Sequence, residues 1–273
     1  DTRTASLAVL SPAPAGQSVV TTIARADAAR ALPLPGAATA MTGDNEGRLY
    51  VATRGGYFLV DLAAGSATLI DVGGQQDTDF TAIAHRADGK LVLGSADGTV
   101  YTLSSDTAVG ARLKAFVRVD GLVTQGNTVV ALDRSQTSVT TISADGTDAD
   151  QTLRAGEGAT TMTADPVGRV LVADTRGDEL LVFGTDPLIL RQRYPVHDAP
   201  FGLAGSSTLA WVSQTATNTV IGYDLATGIP VEKVRYRTVQ QPNSLAYDQV
   251  SGTLYVVSGS GAGVQVISGA GVS

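Results

Sequence analysis

The sequence predicts an all-β fold: a six-bladed β-propeller of four-stranded blades. Three observations predict it. An apolar hairpin recurs six times, its first apolar residue falling at Leu49, Leu91, Val129, Val170, Leu209 and Leu254, with spacings of 42, 38, 41, 39 and 45 residues. Each hairpin is preceded by a short strand rich in small residues and followed by a strand of polar alternation. Glycine and aspartate punctuate the joints. A unit near 40 residues that cannot bury its faces alone, repeated with turn signals between strands, has the spacing of propeller blades.

The hairpin is clearest in Val167–Pro187 (VGRVLVADTRGDELLVFGTDP). Val170–Ala173 is a continuous apolar run, which suits a strand covered on both faces. Asp174–Asp178 is a polar connection, Leu180–Phe183 a second apolar run, and Gly184–Pro187 breaks it. The inner-strand candidates are Ala37–Thr42, Phe80–Ala84, Leu122–Thr124, Thr160–Ala164, Phe201–Ala204 and Asn243–Tyr247. The outer-strand candidates are Ala67–Val72, Arg112–Val117, Gln151–Arg154, Ile189–Tyr194 and Val231–Tyr236, whose alternation marks one solvated face. Asp61–Gly65 and Asp224–Gly228 supply turn chemistry between third and fourth strands.

The sixth copy has no outer strand after Val264–Ile267. The N-terminus offers a spare one. Ser6–Ser11, Pro12–Gly16 and Ser18–Ala24 read as third strand, turn and fourth strand, so Ser18–Ala24 is expected to complete the last blade and remove its open edge. Ala28–Leu32 reads as a helical turn stopped by Pro33 and Pro35. No linker or composition break divides residues 1–273, which read as a single propeller domain.

These residues carry a family resemblance. Ala173–Phe183 resembles the strand pair of NHL repeats, and Ala199–Ala204 with Asn218–Gly228 is similar to the repeats of YncE-like bacterial propellers. The resemblance implies a disc with a central channel, in families whose members are mostly binding or scaffolding modules, many of them outside the cytoplasm, and in a minority enzymes.

Composition narrows the chemistry. The 273 residues are 43% hydrophobic, with a formal net charge of -7 and only three lysines, Lys90, Lys114 and Lys233. Nucleic-acid backbones and anionic lipid surfaces attract cations, so neither is an expected partner. No cysteine is present, which excludes disulfides, thiolate metal sites and a cysteine nucleophile. No apolar run reaches the roughly 18 residues of a membrane helix. A start at Asp1 without methionine reads as a mature chain whose leader was removed, with a lipid anchor upstream of Asp1 as one means of attachment. The expected location is extracytoplasmic: secreted, periplasmic or associated with the cell envelope.

The catalytic inventory is thin. His85 and His197 lie in different repeats, His85 at an inner-strand end and His197 in a loop, and no third ligand is spaced to join them. No Gly-x-Ser-x-Gly elbow anchors a serine nucleophile. Asp44, Asn45 and Glu46, and Asp145, Asp148 and Asp150, offer oxygen ligands of the type calcium takes, but both groups sit where other repeats have turns. Trp211, Tyr50, Tyr57, Tyr101, Tyr223 and Tyr255 fall at strand positions and read as packing between blades, and Arg235–Arg237 as the solvated face of an outer strand. No catalytic residue, metal or cofactor is assigned.

The remaining candidates are loop residues. In a propeller, the outer-to-inner connections and the middle hairpin loops gather on one face, and polar concave mouths bind ligands. Gln75, Gln76, Asp77 and Asp79, then His197 and Asp198, then Gln240, Gln241 and Asn243 occupy the connections. Arg54 and Arg176 stand in hairpin loops. The function expected is non-catalytic binding or scaffolding, by a monomer, of a protein or small ligand at that face. The alternative is a metal-dependent hydrolase of the gluconolactonase type, though its ligand set of one Glu, two Asn and one Asp cannot be placed here.

Overall fold

A computed structural model describes residues 6–24 and 29–271. The described residues form 26 strands in seven antiparallel sheets. The first sheet is β1 (Ser6–Pro12), β2 (Ser18–Ala24) and β3 (Arg30–Leu34). The second is β4 (Ala40–Gly43), β5 (Arg48–Thr53), β6 (Gly56–Asp61) and β7 (Ser66–Asp71). The third is β8 (Phe80–His85), β9 (Leu91–Ser95), β10 (Thr99–Leu103) and β11 (Val109–Lys114). The fourth is β12 (Gly121–Gln125), β13 (Thr128–Asp133), β14 (Ser138–Ile142) and β15 (Ala149–Arg154). The fifth is β16 (Ala159–Ala164), β17 (Arg169–Asp174), β18 (Glu179–Thr185) and β19 (Leu188–Pro195). The sixth is β20 (Pro200–Gly205), β21 (Leu209–Gln214), β22 (Thr219–Asp224) and β23 (Val231–Arg237). The seventh is β24 (Pro242–Asp248), β25 (Thr253–Ser258) and β26 (Val264–Ile267). Packing divides the chain into two compact units, Asp1–Ser135 with Ile142–Asp150, and Gln136–Thr141 with Gln151–Ser273.

The all-β propeller architecture stands, but with seven blades rather than six. The extra blade is the N-terminal sheet. Ser6–Pro12 contains Leu7-Ala8-Val9-Leu10-Ser11, a further copy of the run Leu49-Tyr50-Val51-Ala52-Thr53. The expected closure of the last blade by Ser18–Ala24 is also overturned. One edge of β2 pairs with β1, from Ser6↔Ala24 to Pro12↔Ser18, and the other with β3, from Ser18↔Leu34 to Thr22↔Arg30. With both edges taken, β2 has none to lend, and among the described residues the last sheet ends at β26. The helical turn expected over Ala28–Leu32 is instead strand from Arg30, residues 25–28 lying outside the described residues. Pro33 fits because β3 is an edge strand, where its missing N–H costs no ladder bond.

The hydrophobic core lies between neighbouring sheets. In the first unit Tyr50, Ala52 and Tyr57 pack on Phe80, Ile83, Leu93 and Tyr101 of the next sheet. In the second, Leu171, Leu180 and Val182 pack on Leu203, Val212, Ile221 and Tyr223. Trp211 is fully buried, stacked between Tyr236 (ring centroids 6.2 Å apart) and Tyr247 (6.0 Å). At about 25 cal/mol per Å², an aromatic side chain burying about 200 Å² contributes about 5 kcal/mol. The tyrosines expected to pack between blades are all buried.

Hydroxyls tie sheet to sheet. Thr39 donates to the carbonyl of Phe80 at 2.7 Å, and Thr81 to that of Val119. In the second unit Thr161 donates to the carbonyl of Phe201, Thr175 to that of Pro200 and Ser213 to that of Pro242. The Ser and Thr of the inner strands and hairpin ends are therefore structural.

Candidate functional site

The ends of the sheets where outer strands connect to inner strands carry the loops the sequence singled out. In the first unit, the hairpin loop Arg54-Gly55 lies against the connection of residues 72–79. The Gly55 N–H donates to the Thr78 carbonyl (2.9 Å), the Val72 N–H to the Gly55 carbonyl (3.0 Å), and Arg54 bridges Asp79. Gly55 has φ +79°, and a Cβ there would meet the Gln76 carbonyl at 3.1 Å, so only glycine lets the two loops approach this closely.

The backbone arrangement aims charge outward. Arg54 Nη2 lies 3.0 Å from Asp77 Oδ1 and Nη1 3.5 Å from Asp79 Oδ1, with all three side chains more than half exposed. The Asp77 carboxylate, and then Asp79, raise the guanidinium pKa. Gln75 behaves differently: it is buried, and its side-chain oxygen accepts from Thr78 Oγ1 at 3.0 Å, holding the loop rather than facing solvent. The next hairpin loop holds Asp97, whose carboxyl is pulled down to about 2, first by the Ser95 hydroxyl and also by Lys114 and Thr99, against the opposing effect of burial.

In the second unit, the connection of residues 196–199 lies between two hairpin loops. The Val196 N–H donates to the Asp178 carbonyl (2.7 Å), and the Ala216 N–H to that of Asp198 (3.2 Å). Asp198 and Ala199 both have positive φ, 67° and 57°, a conformation rarely adopted by residues other than glycine. His197 is exposed, with Nδ1 3.9 Å from Asp178 Oδ2, and its carbonyl accepts from Gln214 Nε2 at 2.8 Å. Gln214 in turn accepts from Arg235 Nη1 (2.9 Å), and Arg235 is held by Glu232 through two contacts of 2.9 Å.

The connection of residues 238–241 is built alike. Thr238 and Gln241 donate their N–H groups to the Asn218 carbonyl (2.9 Å) and to Asn218 Oδ1 (2.8 Å). The Gln240 carbonyl accepts from Ser258 Oγ at 2.6 Å. Asn243 rests against Gly259, where any Cβ would strike its side-chain amide. Arg176 is exposed, its stem against Gly158. Beneath it Asp174, fully buried, accepts three backbone N–H bonds, from Glu157 (2.6 Å), Gly158 (2.8 Å) and Gly177 (2.9 Å).

Within each unit, then, hairpin loops and connections interlock. In the first, Arg54 meets Asp77 and Asp79. In the second, His197 meets Asp178, and Gln241 meets Asn218. Sequence reasoning passed over Asp178 and Asn218. Their signal was present: Thr175-Arg-Gly-Asp178 and Thr215-Ala-Thr-Asn218 end alike, each with a residue able to take positive φ (54° and 52°). The acidic groups act as turns. Asp44 accepts from the Glu46 and Arg48 N–H groups and pairs with the Arg48 guanidinium, and Asp145 accepts from Ser143 and Thr147. Among the described residues, no group of three or more His, Asp and Glu side chains is placed to hold a metal ion. No helix among them is long and apolar enough to cross a membrane.

No protein-family profile matches the chain, and no curated protein matches it. Solved structures do. A chain of the mitotic checkpoint complex superposes with a TM-score of 0.80 at 12% identity, over 96% of this chain and 87% of that one. A streptogramin B lyase superposes with a TM-score of 0.76 at 9% identity, over 97% and 94%. The virginiamycin B lyase of Staphylococcus aureus, in its catalytically inactive H270A form with quinupristin, superposes with a TM-score of 0.72 at 10% identity, over 94% and 93%. At identities this low, the likeness shows the fold alone: the chain is a seven-bladed β-propeller.

Proposed function

We propose that this propeller is a non-catalytic binding or scaffold module that presents its loop-bearing sheet ends to a protein partner or small ligand. The observation that carries the reading is the contrast between strands and loops. The strands repeat one apolar run with one register logic, whereas the loop ends differ in charge: Arg54, Asp77 and Asp79 in one unit, and His197, Asp198, Gln241 and Arg176 in the other. Exposed pairs such as Arg54–Asp77 add little to stability, because water screens them, so folding gives little reason for their placement. Rigid strands carrying variable loops is how recognition surfaces are generally built.

The resemblance to NHL-repeat and YncE-like propellers supports the same class and an extracytoplasmic, monomeric protein, secreted or held at the envelope. The test compares three proteins in capture from native envelope extract, read by mass spectrometry. Replacing Gln76, Asp77, His197 and Gln241 by Ala leaves the fold intact and removes the captured partner. Replacing Asp61 and Asp224, at the opposite sheet ends, leaves capture unchanged; the reverse pattern overturns the reading. Lactones, esters and phosphoesters with added calcium, zinc or manganese give no turnover above blank. A metal-dependent rate lost on replacing His85 would establish the hydrolase instead.

A further inference from the structure

Neighbouring sheets meet where the outer strand of one approaches the turn between the third and fourth strands of the next. In the second unit the Gln192 side-chain amide, on β19, donates to the Leu225 carbonyl at 2.9 Å. In the first, the Gly73 N–H, just past β7, donates to the Thr107 carbonyl at 2.8 Å. The junction of the first and second sheets is made differently. Ala31 stands where Gln192 does, each opposite the fourth residue of the preceding strand: Thr21↔Ala31 and Val182↔Gln192. The turns they approach also match, Asp61-Leu62-Ala63-Ala64-Gly65 and Asp224-Leu225-Ala226-Thr227-Gly228. Ala31 has no amide with which to reach the Leu62 carbonyl, and a cavity of about 50 Å³ lined by both residues lies there.

The cavity lining is apolar on one side and charged on the other. Val20, Leu32 and Leu62 belong to the apolar cluster that also holds Leu49 and Phe58. Arg30 and Asp61 supply the charges. Arg30 lies across Gly65, its Nη2 2.7 Å from where a Cβ would stand. Asp61 accepts the Ala63 and Ala64 N–H groups on Oδ1, at 2.9 Å each, which leaves Oδ2 to another donor. The matching Asp224 has Lys233 Nζ 3.6 Å from its Oδ2. Among the described residues Asp61 has no cation so placed, and Arg30 no carboxylate.

We propose that this cavity binds a small zwitterion, a free α-amino acid with a short apolar side chain. Its carboxylate meets the planar fork of the Arg30 guanidinium, which suits two parallel hydrogen bonds. Its ammonium donates to Asp61 Oδ2 and to the Leu62 carbonyl, doing there what the Gln192 amide does at Leu225. Its side chain lies on Val20, Leu32 and Leu62. A plain anion would be repelled by Asp61 and a plain cation by Arg30, whereas a molecule with both charges satisfies each. The volume holds about four water-sized groups, which limits the side chain to a few carbons. The turn Asp61–Gly65 lies at the sheet ends opposite the loop surface proposed above, so this site is separate from it.

The test is calorimetric titration of the full 273-residue chain with L-alanine, which is expected to bind saturably with a Kd below about 1 mM. N-acetyl-L-alanine lacks the ammonium, L-alaninamide lacks the carboxylate and L-tryptophan is too large; each binds at least tenfold more weakly. Arg30→Gln and Asp61→Asn weaken L-alanine at least tenfold, the asparagine keeping the oxygen that holds the turn. Ala31→Gln supplies the side chain found at the matching position and abolishes binding without lowering the melting temperature. The variant with Gln76, Asp77, His197 and Gln241 replaced by Ala binds L-alanine as the parent does, which separates this site from the loop surface. Three results overturn the proposal: no saturable heat with millimolar L-alanine, equal binding of the N-acetyl derivative, or undiminished binding by Ala31→Gln and Asp61→Asn.

Discussion

The Thr39 hydroxyl donates to the backbone carbonyl of Phe80, 2.7 Å away at the start of the next sheet. Thr81 does the same to Val119, and Thr161 to Phe201. Replacing Thr39 with Val keeps the shape and removes the donor, and is expected to cost about 1 kcal/mol. Thr39→Ser restores the bond and most of the stability. Urea unfolding of the two variants checks this, and equal stabilities would deny the hydroxyl its role.

Asp174 is a buried anchor for three N–H groups. Asp174→Ala leaves all three without an acceptor, and each orphan costs about 1–3 kcal/mol; a total loss of about 4 kcal/mol is expected. Asp174→Asn keeps one side-chain oxygen and falls between. The midpoint of denaturant unfolding, at unchanged slope, is the measurement.

Gly222 sits under Trp211. A Cβ at 222 would approach Trp211 Cζ3 to 2.8 Å and Leu209 and Val234 to 3.0 Å. Overpacking of this kind costs about 1–3 kcal/mol, so Gly222→Ala destabilises. Trp211→Phe removes the obstructing ring edge. The double variant is expected to be more stable than the sum of the two changes predicts, with a coupling of at least about 0.5 kcal/mol in a double-mutant cycle.

Asp97 links folding to pH. Its folded pKa of about 2 lies below the ordinary 3.8, so its contribution is complete above the ordinary value and is lost as pH falls through the folded one. The side chain is 62% exposed, and solvent screening holds the contribution to about 1 kcal/mol. Asp97→Asn should lower stability by that amount at pH 7 and by nothing once the pH is below 2.

The strands were legible because each apolar run is both locally strand-forming and periodically repeated. Phe80–Ala84 and Val231–Tyr236 fall within one residue of β8 and β23 at each end. The blade count was not legible by the same route. A full four-strand period begins only at the repeat of Leu49, whereas Leu7 heads a sheet of three strands among the described residues. Pro33 and Pro35 also made Arg30–Leu34 look unlike a strand, since edge status is set by which neighbour pairs and not by local sequence. At the loops, Arg54 and His197 were visible as polar residues in turns. Asp178 and Asn218 were hidden because their role is a backbone conformation shared by two loops of different composition.

One consequence of the sheet order concerns how the chain acquires its structure. Among the described residues, every ladder joins strands that are consecutive in sequence. Hairpin closure between neighbouring strands takes about 1–10 μs, and local pairings lower the entropy of bringing partners together. During synthesis at about 5–20 residues per second, each sheet can close as soon as its own strands have emerged, without waiting for distant segments. The polypeptide is thereby spared long intervals with bare apolar hairpins, and its assembly runs from the first residues to the last.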